Sequence, residues 1–313
     1  MSINILVTGC GGDIGYCIGK ILKKNNITCY GCDITDFHPG KYIYNDYFII
    51  PRADSYEYFS KIEDIVKSNN ITLIIPTTEI EIDLFQNKKF KLCKVILCNK
   101  QNYNIFNDKL ITNMFLKENN LPCVDTIKMI NYDNNFDFPF ILKKKNGCGS
   151  KNVFIIHNEN DFNYYKNKII NTEINDYIIQ DYLDGDEFTC CIYKNNDKYH
   201  KISFNRILAN GFTKKGFVVN NEEINKLLDS IAEKLDIDGS INVQLRLVDN
   251  IPYIFEVNPR ISSTVYFRYL FNFNDLIWSI EDTLNVKILD NIKYDNQKII
   301  NKKFIHQPEH FIL

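Results

Sequence analysis

The sequence predicts a protein of mixed class, in which an α/β doubly wound parallel sheet precedes an α+β region of antiparallel strands. Short apolar strands alternate with helical stretches up to residue 98, which is typical of βαβ units and a parallel sheet. Beyond residue 120, alternating apolar and polar residues are separated by turn signals, which is typical of antiparallel hairpins. Between residues 99 and 105 the pattern changes, so we predict one domain over residues 1–102 and a second over residues 103–313.

The amino-terminal βαβ unit contains a glycine turn. A buried strand over Ile3–Thr8 runs into this turn, which has the dinucleotide-type spacing Gly9, Gly12, Gly15. Asp33 ends the next strand and could bind a ribose, and Tyr164 with Lys168 forms a Tyr-x-x-x-Lys pair. An NAD(P)-dependent sugar epimerase or dehydrogenase of the extended short-chain type is therefore an alternative. However, a glycine turn also lets a helix pack closely on a sheet without any ligand.

Composition narrows the functional classes. The 313 residues are 45% hydrophobic and carry a formal net charge of −2, so nucleic acid is not an expected partner. The longest apolar runs have the length of strands, and no membrane span or signal peptide is expected. Most of the ten cysteines lie in apolar strand contexts, which indicates reduced thiols and a cytoplasmic location. Cys29 and Cys32 form a CxxC without a second ligand pair, so a zinc or redox role is not expected.

A lysine at the end of a strand indicates a phosphate site. The strand Phe138–Lys143 ends on this lysine and leads into the polar loop of residues 144–152, which contains Gly149 and Ser150. A fixed positive charge beside approachable backbone N–H groups is one way to hold phosphates. Hairpin loops are often rich in Gly, Asn and Lys, so this pattern alone is weak.

A hairpin near the carboxyl-terminal third offers oxygen ligands. Two alternating runs, Ser240–Val248 and Ile251–Asn258, flank a turn signal. We expect Ile254, Glu256 and Asn258 to share one face. With an odd number of loop residues Gln244 lies opposite Glu256, whereas a two-residue loop places them on opposite faces. A carboxylate and amide oxygens suit Mg²⁺, but a half-buried hairpin with a polar outer face is the common alternative.

Several segments together resemble the ATP-grasp superfamily, nearest to its carbamoyl-phosphate-synthetase-like and carboxylate–amine ligase branch. In order they are Pro-Phe-Ile-Leu-Lys, the Gly/Ser loop, Ile-Gln-Asp-Tyr-Leu-x-Gly-x-Glu, Asn-Val-Gln-Leu-Arg and Phe-Glu-Val-Asn-Pro-Arg. The resemblance runs from about Asp108 to Arg268. It implies an ATP-grasp fold of two α+β subdomains, the smaller over about residues 122–180, preceded by a pre-ATP-grasp domain.

The resemblance also implies ATP and Mg²⁺, or Mn²⁺ in its place, as cofactors, with roles for single residues. The phosphates would contact Lys109, Lys143, Gly149 and Ser150, the adenine the backbone of Asp181, Tyr182 and Leu183, and the ribose Glu187. The metal would be held by Gln244, Glu256 and Asn258, and Arg260, Lys143 and Arg206 would face the transferred phosphoryl group. The chain departs from the family pattern at Lys144, at the Gly149-Ser150 pair and at Asp181, where proline, Gly-Gly and glutamate are usual.

The activity implied is ADP-forming ligation of a small carboxylate, such as an amino acid or sugar acid, with ammonia or an amine. Thr77, Thr78 and Glu79 follow a parallel strand, at an edge where ligands bind, and are candidate substrate residues. A homodimer is expected by analogy. A non-catalytic relative is a further alternative, but the intact set Lys143, Glu256, Asn258 and Arg260 argues against it.

Overall fold

A computed structural model describes residues 2–133, 136–147, 152–169, 171–209, 212–289 and 294–306. Across these residues the strands form three sheets, of five, four and six strands. The five-stranded sheet is parallel, whereas the strands of the other two sheets pair antiparallel. The predicted fold class is confirmed. Within the same residues, no helix combines the length and the apolar character needed to cross a bilayer.

The amino-terminal sheet is doubly wound, with the strand order β3-β2-β1-β4-β5. Its strands are β1 (Asn4–Thr8), β2 (Thr28–Asp33), β3 (Asp46–Ile49), β4 (Leu73–Ile75) and β5 (Lys94–Val95), and its helices are α1 (Asp13–Lys24), α2 (Tyr58–Ser68) and α3 (Glu79–Asn87). Ile5 packs with Ile18 of α1 on one face, and Leu6 packs with Ile62 of α2 on the other. Because both faces are covered, the loops at the carboxyl ends of β1, β2 and β4 are left to bind ligands.

Two helices, α4 (Lys100–Phe106) and α5 (Lys109–Glu118), connect this sheet to the rest of the chain. The sequence pattern predicts a single helix over Tyr103–Asn119, and that prediction is wrong. The helix is interrupted because the Asp108 carboxylate accepts hydrogen bonds from the backbone N–H groups of Leu110, at 2.8 Å, and Ile111, at 3.2 Å. This N-cap starts a new helix at Lys109.

The four-stranded sheet has the order β6-β9-β7-β8. It consists of β6 (Thr126–Lys128), β7 (Phe140–Lys144), β8 (Val153–Ile156) and β9 (Tyr177–Asp181), with α6 (Glu159–Lys168) packed on it. Phe140 and Leu142 are fully buried beneath α6. Since side chains alternate along a strand, Ile141 and Lys143 point to the opposite face of β7.

The six-stranded sheet has the order β14-β13-β10-β11-β12-β15. Its strands are β10 (Asp186–Asn195), β11 (Lys198–Ala209), β12 (Phe212–Val219), β13 (Gly239–Val248), β14 (Ile251–Asn258) and β15 (Lys303–Ile305), and the helices α7 (Glu222–Lys234), α8 (Val265–Leu270) and α9 (Asp275–Leu284) accompany it. The edge strand β15 comes from the terminal segment, which the sequence pattern assigns no structure.

The hairpin of β13 and β14 combines a two-residue turn with a β-bulge. Asp249 and Asn250 both have positive φ, at 49° and 63°, which is the geometry of a tight hairpin turn. Leu245 pairs with Ile254 and Gln244 pairs with Glu256, so Phe255 is an extra residue. The expectation that a two-residue loop separates Gln244 from Glu256 is wrong, because the bulge adds the odd residue that brings them together.

The bulge also changes which side chains share a face. Ile254 and Val257 both enter the core, where they are 1% and 3% exposed, whereas Glu256 and Asn258 line the opposite side. The expectation that Ile254 shares a face with Glu256 is therefore wrong. Strict alternation fails at Phe255 because two successive residues of β14 oppose one position of β13.

Candidate active site

A cleft of about 880 Å³ lies between the amino-terminal sheet and the two antiparallel sheets. Most of the residues predicted for the site line it. They are Lys109, Lys143, Asp181, Tyr182, Leu183, Glu187, Arg206, Gln244, Glu256, Asn258 and Arg260, together with Thr77, Thr78 and Glu79. Gly149 and Ser150 lie outside the described residues. The cleft is large enough for a nucleotide and a small molecule beside it.

Lys143 projects from β7 into the cleft and is only 5% exposed. The pKa of its ammonium is lowered from 10.5 to about 8, chiefly by burial and to a lesser degree by the charge of Lys109, while the charge of Glu256 opposes the shift. Lys109, at the start of α5, donates a hydrogen bond to the Gly147 carbonyl at 2.8 Å. Two cationic side chains from different elements therefore face the same space, where they could hold an anionic ligand.

Glu256 provides the negative charge opposite these lysines. Burial alone would raise the pKa of its carboxyl, but Lys109 and Lys143 and a hydrogen bond from Asn258 bring the pKa below its ordinary value. The Asn258 amide nitrogen lies 3.1 Å from a Glu256 oxygen. An ionised carboxylate beside an amide, on one face of a strand, is a donor set that suits a hard divalent cation.

Gln244 lies in the cleft but its amide oxygen already has a partner. It accepts a hydrogen bond at 2.9 Å from Arg206. Arg206 also forms a two-point ion pair with Glu187, at 2.9 and 2.6 Å. Glu187 is further bound at 3.0 Å by Arg246, its cross-strand partner on β13. Arg206 therefore holds the ribose candidate and a metal candidate together, and both assignments remain predictions.

Asp181, Tyr182 and Leu183 line the cleft where β9 ends. Arg246 supports this segment, because it donates hydrogen bonds to the Leu183 carbonyl at 3.2 Å and the Gly185 carbonyl at 2.9 Å. A Cβ at Gly185 would lie 2.4 Å from the Leu247 carbonyl oxygen, so only glycine lets the chain pass here. The break in the strand pattern after Asp181 is the sequence signal for this arrangement.

Gln180 is a further cleft residue, and no sequence motif indicates a role for it. It is 3% exposed, and its amide nitrogen donates to the Thr126 hydroxyl at 2.9 Å. A polar residue within the apolar run of β9 is the signal that could have identified it, because strands buried on both faces are usually apolar throughout.

The loop after β4 brings the predicted substrate residues to the cleft. The hydroxyls of Thr77 and Thr78 serve the local structure, since they bond to the Thr8 carbonyl at 2.8 Å and to the Glu81 carboxyl at 2.6 Å. Glu79 instead faces the second domain, where its carboxylate lies 3.4 Å from the guanidinium of Arg260. Glu79 and Arg260 thus join the two domains across the cleft.

The glycine turn is arranged differently from a dinucleotide site. Asp33 is engaged in local structure, because its oxygens accept the N–H groups of Gly11 at 2.9 Å and Ile34 at 2.7 Å. The His38 ring packs against Gly11, and a Cβ there would lie 2.5 Å from the ring. On the surface of α6, the Lys168 ammonium lies over the ring of Tyr164, which is 54% exposed. These positions argue against the NAD(P) alternative.

Comparisons with known proteins identify the class. Residues 106–264 match the ATP-grasp domain, and residues 5–96 match the PylC-like N-terminal domain. The chain belongs to the ATP-grasp family. The fold and the family predicted from the sequence are confirmed.

Two curated relatives are identical to this chain at about a quarter of the aligned positions. A D-alanine–D-alanine ligase of Petrotoga mobilis is 26% identical over 140 residues, which are 39% of this chain and 47% of that protein. A tyramine–L-glutamate ligase of Methanocaldococcus jannaschii is 26% identical over 227 residues, which are 66% of this chain and 61% of that protein. The chain thus spans about half of the first relative and less than two thirds of the second.

Solved structures share the fold at lower sequence identity. An N5-carboxyaminoimidazole synthetase from Staphylococcus aureus complexed with ADP has a TM-score of 0.73 and 16% identity, covering 93% of this chain and 80% of that one. An L-amino acid ligase from Bacillus licheniformis has a TM-score of 0.66 and 16% identity, covering 89% of this chain and 73% of that one. Both structures therefore share the fold over about nine tenths of this chain.

Proposed function

We propose that this protein is an ATP-dependent, ADP-forming ligase that joins a small carboxylate to an amine or to ammonia. One observation carries the proposal: the ionised Glu256 and its neighbour Asn258 face Lys143 and Lys109 in a cleft that the amino-terminal domain also lines. Oxygen donors and cations that face each other across one space suit a nucleoside triphosphate. The remaining space, towards the carboxyl ends of β1, β2 and β4, suits a second small molecule.

The proposed reaction has two steps. A carboxylate oxygen of the first substrate attacks the γ-phosphorus of ATP, and the bond to the β,γ-bridging oxygen breaks to give an acyl phosphate and ADP. The amine then attacks the acyl carbon, phosphate leaves, and the amine loses a proton to give the amide. This chemistry needs positioning and charge neutralisation more than a protein nucleophile.

The side chains of this chain have distinct parts in that scheme. Lys143 and Lys109 would bind phosphate oxygens, and Arg260 would neutralise charge on the transferred group. Glu256 and Asn258, with Gln244 if Arg206 releases it, would hold Mg²⁺ or Mn²⁺. That ion would supply positive charge to the phosphate oxygens. The donor set fits because these ligands are oxygens and the Glu256 carboxyl is ionised.

The substrates are proposed from chemistry and from the relatives. Relatives named for D-alanine, for tyramine with L-glutamate, and for L-amino acids support an amino-acid carboxylate and a primary amine. The nine described cysteines are free, and seven of them are buried, which supports action in a reducing cytoplasm. A homodimer remains an expectation by analogy.

The test is ADP release from ATP and Mg²⁺, screened over amino-acid and sugar-acid carboxylates with ammonia or primary amines. Glu256→Gln keeps the shape of the side chain but removes its charge, so we expect ADP release to fall by at least about 100-fold. Glu223→Gln, on the exposed face of α7, is the matched control and should retain full activity. Unchanged turnover in a folded Glu256→Gln protein would refute the assignment of this site.

A further inference from the structure

The cleft has an apolar wall on the side of the amino-terminal domain. This wall comes directly after β2. Ile34 and Phe37 line the cleft there, and they are 54% and 81% exposed to solvent. Ile50 and Ala53 line the same cleft and are nearly buried, at 4% and 8%. Single exposed apolar side chains are ordinary on protein surfaces. Here they share the wall of a ligand-sized cavity with buried apolar neighbours, and such a patch usually marks a binding surface.

The segment that carries Phe37 is fixed at both ends. The Ile34 N–H donates to Asp33 at 2.7 Å, and the Phe37 N–H donates to the Thr35 hydroxyl at 3.2 Å. His38 is 6% exposed, and its Nδ1 accepts the Gly40 N–H at 3.1 Å. The backbone at Phe37 is therefore held in place by its neighbours, although its ring faces solvent. A ligand that covers the ring would have to order that side chain but not the backbone.

Cys10, Asp33 and His38 place potential metal ligands near one another behind this segment, but they do not fit a metal. Because His38 Nδ1 accepts a hydrogen bond, the neutral ring carries its proton on Nε2, the atom that faces Cys10. Both Asp33 oxygens accept backbone N–H groups. The trio anchors the wall, and Asp33 also lines the cleft, so its charge acts on a ligand there.

The charged side chains near this wall favour one class of ligand. Asp13 and Asp33 line the cleft on the amino-terminal side. Arg52 and Arg260 line it as well, but their guanidinium groups already face Asp54, at 3.3 Å, and Glu79, at 3.4 Å. An acidic and apolar surface attracts a cation with a hydrocarbon tail and disfavours a second carboxylate.

We propose that Ile34 and Phe37 form a subsite for the aromatic or aliphatic part of the amine substrate. The inference rests on the proposed ligase function and deepens it, because it selects primary amines with an apolar tail over ammonia. The amine would arrive as an ammonium ion drawn towards Asp13 and Asp33, with its tail covering the Phe37 ring, and it would release one proton to solvent before its free nitrogen attacks. Its nitrogen would then point to the acyl group near Arg260.

The kinetic test measures two amines with each of two variants, one at an aromatic residue of the wall and one at an aromatic residue outside the cleft. With the carboxylate that supports ADP release, Phe37→Ala should lower kcat/KM for phenethylamine by about tenfold and leave methylamine within about twofold. Tyr56→Ala is the matched control, because Tyr56 is 93% exposed in the same domain and is not among the residues that line the cleft. It should change neither value. Equal losses for both amines, or no loss, would overturn the subsite.

A second arm tests the choice of amine over carboxylate. Acetate and hexanoate, each supplied with ammonia, take the place of the two amines. We expect Phe37→Ala to change kcat/KM for acetate and for hexanoate by the same factor. A selective loss for hexanoate would overturn the assignment of this wall to the amine.

A binding arm separates the subsite from the ligase activity. Calorimetry of phenethylamine, with ADP and Mg²⁺ present, needs no turnover. We expect binding to the unmodified protein and to Tyr56→Ala, and an affinity at least about fivefold lower for Phe37→Ala. Equal affinities, or no binding to the unmodified protein, would overturn the subsite. Selective binding without ADP release from any substrate would instead overturn the proposed function and leave the subsite standing.

Discussion

At the scale of single residues, the site depends on a lysine and a glutamate that set each other's charge. Burial lowers the pKa of Lys143 to about 8, while Glu256 opposes that shift. Burial would also raise the pKa of Glu256, and the lysines reverse that effect. Each charge is costly alone in this environment and is stabilised by the other. An anionic ligand beside Lys143 would further favour its charged form.

The low pKa of Lys143 predicts a pH dependence of nucleotide binding. Because the ammonium loses its proton as the pH rises through about 8, the affinity for ATP–Mg²⁺ should fall above that pH. Lys143→Arg should remove this dependence, since arginine stays charged throughout. Calorimetric titrations between about pH 7 and pH 9.5 would measure the affinity of both proteins for ATP–Mg²⁺. The same alkaline loss in both would show that another group controls binding.

Folding stability should change in the opposite direction. The unfolded lysine titrates near 10.5 and the folded one near 8, so between these values the unfolded state binds more protons. The contribution of Lys143 to the free energy of unfolding therefore increases with pH across this window. Below the folded pKa both states are protonated, so this pH dependence disappears and the cost of burying the charged ammonium is fully present.

At the scale of elements, a single extra residue in β14 decides the composition of the site. Phe255 lets Ile254 and Val257 both enter the core while Glu256 and Asn258 face the cleft. Its ring also lies 5.6 Å from the Lys143 ammonium, within the range of a cation–π interaction. The bulge thus adjusts the register that the tight turn alone would give.

The segment that follows β14 is fixed by a buried ion pair between α8 and α9. Arg268 and Asp275 have no solvent exposure, and their side chains form two hydrogen bonds, at 2.9 and 2.7 Å. Arg268 also donates to the hydroxyls of Ser262 and Thr264, each at 2.7 Å. Since Ser262 lines the cleft, this network connects the helices to the wall beside Arg260.

Removing one member of that pair should destabilise the protein strongly. Asp275→Asn leaves a buried guanidinium without its countercharge, which should lower the free energy of unfolding by about 3–5 kcal/mol. Urea unfolding would measure the loss. Asp295→Asn, whose partner Lys298 is 82% exposed, should have almost no effect. A similar small effect for Asp275→Asn would mean that the pair contributes little.

At the scale of the whole molecule, function is proposed to depend on the space between domains rather than on either alone. The amino-terminal sheet and the ATP-grasp domain both line the cleft, and Glu79 and Arg260 meet across it. The glycine turn, which by itself suggests a dinucleotide, lines this cleft instead.

Ligand-dependent melting distinguishes the two nucleotide classes. ATP–Mg²⁺ at about 100 times its Kd should stabilise the folded state by about 2.7 kcal/mol and raise the Tm. NADH and NADPH should leave the Tm unchanged, because His38 packs against Gly11 and Asp33 is bonded to the backbone. Lys143→Met serves as the control that should lose the response to ATP. A rise with NADPH alone would contradict the family-based site.

Sequence patterns predict the class of each region and many of the side chains that line the cleft. Local periodicity and turn residues suffice for a parallel sheet followed by hairpins, and the order of the motifs indicates Lys143, Glu256 and Arg260. Two local features do not follow from these patterns: the interruption of the helix before Lys109 and the bulge at Phe255. Both depend on hydrogen bonds that periodicity does not specify.

The arrangement of these groups around the cleft depends on long-range packing. The positions of Arg206 between Glu187 and Gln244, of Glu79 opposite Arg260, and of Phe37 on the cleft wall depend on contacts between residues far apart in the chain. Such contacts depend on how the sheets pack, so no local pattern contains them. The pKa of Lys143 depends on the same packing, because burial and the charges of neighbouring elements exist only once the domains have assembled.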